Sequence, residues 1–198
     1  MSGPNPIHNI VGVFSVNGVQ TPAGMYLPSD HGLLAWNYDP SGTSNSSATV
    51  SGTVYLAQVI LRTPQTVSKA ILSLTGAASG VVANQNFIGL YDSSGNRVAV
   101  TAAGALDAAL TSSGTLPGTF TSPYAAAAGA YWVAFVNNAT TPAQLGRASG
   151  FSSTPNANLA AAQYRYCTNG TGQTALPSSI TPSSNSLANV MTFWAGLG

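Results

Sequence analysis

Ser29, Asp30 and His31 stand side by side and hold the three residue types of a hydrolase triad. Adjacent positions do not make one. Triad members meet from separate elements, and neighbours on an extended chain point to opposite sides. No G-x-S-x-G elbow occurs. The segment reads as a turn ahead of Gly32–Trp36. His8 and His31 are the only histidines, and neither belongs to an H-x-x-x-H pair or an acidic cluster, so no zinc site is expected. Cys167 is the only cysteine, which excludes an internal disulfide and a cysteine-based metal cluster.

The acids are Asp30, Asp39, Asp92 and Asp107, with no glutamate, so paired carboxylates for glycoside hydrolysis would have to come from these four. Asp92 opens "DSSGN", which lacks the alternating acids and final glutamate of a calcium loop. Gly95 and Asn96 suit a hairpin turn instead. No glycine-rich phosphate loop followed by lysine is present. The sequons at Asn45, Asn138 and Asn169 match what chance gives in a chain so rich in Asn, Ser and Thr. The expectation is therefore no catalytic residue, no metal and no cofactor, with ligand-binding residues unassigned. Trp36, Tyr38, Tyr55, Tyr91, Tyr124, Tyr164 and Tyr166 remain. They have the chemistry to stack on sugars beside amide-rich loops, but packing in the core and at subunit contacts is the preferred reading for each.

The elements that would position these groups are strands. Thr53–Thr63 reads as a long strand with a bulge near Ala57, where the apolar parity shifts. Val67–Gly76 puts Ala70, Leu72 and Leu74 on one face. Asn86–Ala102 reads as a hairpin around "DSSGN". In "GAYWVAFV", Tyr131, Val133 and Phe135 alternate with Trp132, Ala134 and Val136, giving a strand apolar on both faces. Such a strand is expected to be covered by the opposite sheet on one side and by a neighbouring subunit on the other. Asn158–Thr168 reads as helix by its alanines and strand by its tyrosines. Asn189–Gly198 closes the chain as a strand, with Val190, Thr192 and Trp194 on one face. Ala103–Gly114 is the one tolerable helix. About eight strands spaced by Ser/Gly/Pro/Asn loops predict an all-β fold, a β-sandwich of jelly-roll type over residues 49–198. Residues 1–48, with five prolines, read as an extended N-terminal arm with one short strand around Ile10–Val16.

Charge separates this chain from ordinary domains. Only 5% of its 198 residues are charged, against about 25% in a typical domain. A net charge of +1 leaves no electrostatic footprint for nucleic acid or an anionic membrane. The opening ten residues have no basic n-region and no apolar h-region, and Ala125–Val136 is too short for a membrane helix. The expectation is a chain made in a cytoplasm. With a single lysine and no charge inside "VYLAQVIL" or "YWVAFV", its sheet edges should need burial in a closed homo-oligomer.

Three stretches, "GTVYLAQVILRTPQTVSKAILSLTGAASG", "NFIGLYDSSGNRVAVTA" and "GTFTSPYAAAAGAYWVAFVNN", resemble jelly-roll domains of structural proteins in tailed phages of actinobacteria. The ending "FWAGLG" fits as well. The resemblance spans about residues 50–198. It implies location in a virion and a non-enzymatic role as a minor tail protein or fibre head, in assembly and host-surface attachment. A capsid decoration protein is the alternative, and a glycan-binding or glycan-degrading domain a second. Implied partners are further copies, as a trimer, other virion proteins, and a host cell-surface glycan. No functional residue carries over individually.

Overall fold

The computed structural model describes residues 26–148 and 154–198, apart from the Asn45 side chain, together with the backbone of 13–16 and 19–22. Its strands in chain order begin with β1 (Val13–Val16), β2 (Val19–Pro22), β3 (Ala35–Trp36), β4 (Thr43–Ala48) and β5 (Tyr55–Leu61). Next come β6 (Gln65–Gly76), β7 (Ser79–Val81), β8 (Phe87–Tyr91), β9 (Arg97–Val100) and β10 (Gly114–Ala126). The chain closes with β11 (Gly129–Val136), β12 (Ala139–Thr141), β13 (Gln144–Ala148), β14 (Tyr166–Thr168) and β15 (Ala195–Leu197).

Two antiparallel sheets stack as an all-β sandwich. One runs β14-β5-β11-β8-β9. In the other, β6 carries β10 along one edge and β13 and β15 end to end along the other, with β4 beyond β13 and β3 beyond β15. Counted from β4 and leaving aside the separate short pair β7-β12, eight strands stand in the order 1-8-3-6 (β4-β13-β6-β10) and 2-7-4-5 (β5-β11-β8-β9). The "DSSGN" hairpin forms as expected. Asp92 accepts from the backbone N–H of Ser94 and Asn96, and Gly95 sits at φ +89°. A side chain at Gly95 would also strike the Ile180 carbonyl. Gly95→Ala is therefore expected to destabilise the fold by about 2 kcal/mol, read from the urea midpoint.

β11 is central, paired with β5 from Gly129↔Leu61 to Phe135↔Tyr55 and with β8 from Trp132↔Tyr91 to Val136↔Phe87. The β5 register is unbroken, so no bulge lies at Ala57. The parity shift instead reflects burial on both faces. Tyr55, Ala57, Val59 and Leu61 face the inter-sheet core with Tyr131, Val133 and Phe135, against Val67, Ala70, Leu72 and Leu74 of the other sheet. Val54, Leu56, Phe87, Tyr91, Trp132, Ala134 and Val136 form a second, outer apolar layer.

That outer layer corrects an expectation. The chain itself covers it, through Leu176 and Ile180 of the segment that crosses the sheet after β14, with Cys167 of β14 packed beside them. Gly89 leaves the room: a Cβ there would lie 2.7 Å from Leu176 Cδ1. The segment is fastened by Tyr91, whose hydroxyl donates to the Pro177 carbonyl (2.6 Å), and by Ile180, whose N–H donates to Gly95 O (2.8 Å). The Arg97 guanidinium donates to the Leu176 carbonyl.

Three further expectations change. Residues 35–36 and 43–48, assigned by sequence to the arm, are sheet strands β3 and β4, so the sandwich begins ahead of residue 49. Val13–Val16 does form a strand, paired with Val19–Pro22, while residues 1–12, 17, 18 and 23–25 of the expected arm lie outside the described residues. Residues 103–114 form no α-helix. They make successive turns ending in a 3-10 turn at Ala109–Thr111, with Gly104 at φ +78° breaking any regular helix at its start. Leu106 and Leu110 are still buried, so the segment packs its leucines inward without helical backbone. Asn158–Thr168 resolves into both of its readings, a 3-10 turn at Ala161–Gln163 and then β14.

Candidate functional site

A cleft of about 640 Å³ opens where Leu27–Asn37 crosses β5 and the β5–β6 turn. Its walls carry Trp36 from β3, Gln58 and Ile60 from β5, and Arg62 just beyond it. Strand parity puts Gln58 and Ile60 on the outer face of the sheet, and Ile60 is 43% exposed there, unusual for isoleucine in a strand. Val54 and Gln58 donate their N–H groups to Gly170 and Arg165, so alternate residues of β5 turn their backbone toward β14. β14 ends before Ile60, whose N–H and C=O therefore open onto the cleft.

Ser29, Asp30 and His31 lie at its rim in a 3-10 turn, Pro28–His31. The Asp30 carboxylate accepts from the Leu27 N–H (2.8 Å) and so fixes the turn rather than orienting a histidine. His31 instead packs edge-on between Tyr26 and Trp36, with centroids 5.8 and 5.3 Å away. His8 lies outside the described residues. Among the described residues, no three His, Cys, Asp or Glu side chains come together at metal-binding distance, and no helix is long and apolar enough to cross a membrane.

The structure divides the aromatic candidates. Tyr55, Tyr91 and Tyr166 are buried, and desolvation holds all three phenols above their ordinary range. Tyr38 clamps the C-terminal stretch, its hydroxyl donating to Thr192 O while its carbonyl accepts from the Trp194 indole. Tyr124 packs edge-on against Tyr131, and Tyr164 packs against the outer layer. Only Trp36 reaches the cleft. Gln58, Ile60 and Arg62 were not singled out by sequence. The signal for them was the apolar Ile60 standing between Gln58 and Arg62 on one parity of the strand end. Of the sequons, Asn138 is 9% exposed with its amide given to Gln85 O and Gln173 O, and the Asn169 amide reaches Thr181 O and Asn185.

Cys167 is sealed within the outer layer, and burial pushes its thiol up to about 12. Folding thus favours the protonated thiol. Stability is full below the unfolded thiol value near 8.5 and falls as pH rises from about 9 to 12, because the unfolded chain then releases a proton the folded chain retains. The raised tyrosines act in the same direction. At pH 10.5 the thiol alone accounts for roughly 2 kcal/mol, so the melting temperature should drop by at least about 4 °C relative to pH 8. Cys167→Ala should show a shallower drop. Calorimetry across that range checks both.

With its geometry set out, the cleft combines an indole, an exposed aliphatic side chain, a planar amide and a guanidinium around an open strand edge. It has donors and acceptors for a polar ligand and apolar surface for a flat one. No protein-family model matches the chain, and no curated protein matches it.

Proposed function

We propose that this chain is a non-enzymatic structural protein of a phage virion, of minor tail or fibre-head type, that serves assembly and attachment to the host surface. The observation that carries the reading is the strand order. Eight strands in the orders 1-8-3-6 and 2-7-4-5 support reading the sandwich as a jelly roll of two Greek keys. The segments that resemble phage domains supply β5, β6, β8, β9, β10 and β11 of that order. The sandwich surface adds hydroxyls and amides with little charge, which suits permanent assembly.

Gradient-purified particles probed with an antibody to the chain test the proposal. The protein should band with infectious particles, and gold label should mark the tail. Label over the head would transfer the role to capsid decoration. Absence from particles overturns both.

Assembly into a closed homo-oligomer, a trimer by the phage resemblance, belongs to the same proposal. Its physical basis is narrower than sequence implied. "YWVAFV" is central, and β10 is guarded by Pro117, Pro123 and a register shift between Thr119 and Tyr124. The open edge at Ile60 and the hydroxyl-rich edge β4 remain. Deleting residues 1–25 should leave a folded sandwich, since the part of the expected arm that reaches the core, Leu33 and Ala35, is kept. Residues 1–25 would then dock the chain on a neighbouring subunit or another virion protein. The truncated protein should therefore melt within about 3 °C of the full chain and fail to enter particles. Normal incorporation would contradict that role.

A further inference from the structure

We infer that the cleft beside Trp36 is a saccharide-binding site that prefers sugars bearing a carboxylate. The inference rests on the attachment reading only for the source of the sugar, the host surface.

The three tryptophans make the first argument. Trp132 donates its indole N–H to Tyr164 O (2.8 Å) and Trp194 donates to Tyr38 O (3.0 Å), both inside the fold. Trp36 lines the cleft, and its indole N–H has no hydrogen-bond partner among the described residues. A tryptophan held at the surface with its polar edge free is suited to an amphipathic ligand.

The surrounding polar groups point the same way. The Gln58 amide, the Arg62 guanidinium and the Ser29 hydroxyl all line the cleft without a side-chain hydrogen bond among the described residues. The Ile60 backbone edge adds a donor and an acceptor. In a fold that uses the amides of Asn86, Asn137, Asn138, Asn156 and Asn169 internally, this cluster stands out. A sugar ring offers what such a site takes: a face of C–H groups for Trp36 and Ile60, and hydroxyls at its edge that both donate and accept. Charge narrows the class. Arg62 is the one charged lining residue and has no ion-pair partner among the described residues, while the rim carboxylate of Asp30 is engaged by the Leu27 N–H, so a uronate carboxylate meets a free guanidinium. At about 640 Å³ the cleft lies within the range of small-ligand sites.

The test is a titration of the full-length ¹⁵N-labelled protein with four hexasaccharides, hexagalacturonate and a hyaluronan hexamer as acidic probes, maltohexaose and cellohexaose as neutral ones. The Trp36 indole resonance should move with at least one acidic probe, while those of Trp132 and Trp194 stay in place. Arg62→Gln, at an exposed position, should weaken that binding about tenfold and leave the melting temperature unchanged. Trp36→Ala should abolish it, and Gln58→Ala guards against a fold effect of the tryptophan change by weakening binding several-fold. A stationary Trp36 resonance with all four probes overturns the inference, and equal affinity for neutral and acidic probes overturns the preference given to Arg62. These outcomes are separable from the attachment reading. Sugar binding by a protein absent from particles leaves the cleft and removes the virion role, and the converse result removes only the cleft.

Discussion

Trp132→Ala is expected to destabilise the protein by about 4–6 kcal/mol, measured as the shift in urea unfolding free energy. The ring is 2% exposed and sits in the outer apolar layer, between the sheet and the segment that holds Leu176 and Ile180. Truncating a buried large aromatic to alanine costs about 3–5 kcal/mol in lost transfer energy and cavity. The Tyr164 carbonyl also loses its indole donor, which adds about 1 kcal/mol. A domain holds only about 5–15 kcal/mol in total, so the variant should be close to unfolded at 37 °C. Trp132→Phe keeps most of the volume and should lose about half as much. The cleft tryptophan is the control: Trp36 is half-buried, and Trp36→Ala should cost less than about 2 kcal/mol. A loss below about 1 kcal/mol for Trp132→Ala would mean that the outer layer is not packed.

Asn86→Ala should cost about 3–5 kcal/mol, for a different reason. Asn86 is fully buried at one end of the sandwich, and its carbonyl oxygen accepts from Asn137 Nδ2 and from the Asn138 N–H, each at 2.8 Å. Its own amide donates to Val82 O and to Asp107 Oδ1. Asn137 Oδ1 in turn accepts from the Ala143 N–H, and Asp107 Oδ2 from the Asn84 N–H. The network fastens the β7–β8 loop, the turns after β9 and the end of β11 to one another. Removing its hub leaves two buried donors without partners, at about 1–3 kcal/mol each. Asn86→Asp gives a sharper reading. It keeps the acceptor but sets a second carboxylate against Asp107, so the variant should be strongly destabilised at pH 7 and partly recover near pH 4, where the pair can hold a proton. Wild-type-like unfolding of Asn86→Ala would remove the network from the account.

What the sequence disclosed follows from what period-two patterning encodes. Ala70, Leu72 and Leu74 alternate cleanly because β6 is covered on one face, and that strand was legible. The "DSSGN" turn was legible because a left-handed residue and an Asx acceptor are local requirements. The covering of β11 was not. Its two apolar faces announce burial but not by what, and Leu176 and Ile180 lie in a stretch without regular structure, where no period marks them. β4 was missed because "TSNSSA" lies at an edge and is largely exposed, so nothing apolar repeats. Residues 103–114 tolerated a helix by sequence, while Gly104 and the tie from Asp107 to Asn84 decided for turns. The cleft was the least legible part, since Trp36, Gln58 and Arg62 are brought together only by a crossing of distant segments.

The central claim is that a single chain covers both faces of β11 and completes the sandwich before any assembly takes place. Hydrogen exchange followed by mass spectrometry, on the monomeric fraction from size exclusion, tests it most directly. Amides of residues 131–135 should be the last to exchange, at a rate that reports global unfolding and is unchanged by protein concentration. Exchange of 131–135 at the rate of the loops, with protection gained only when subunits associate, would contradict the claim and return the outer face of β11 to a neighbouring subunit.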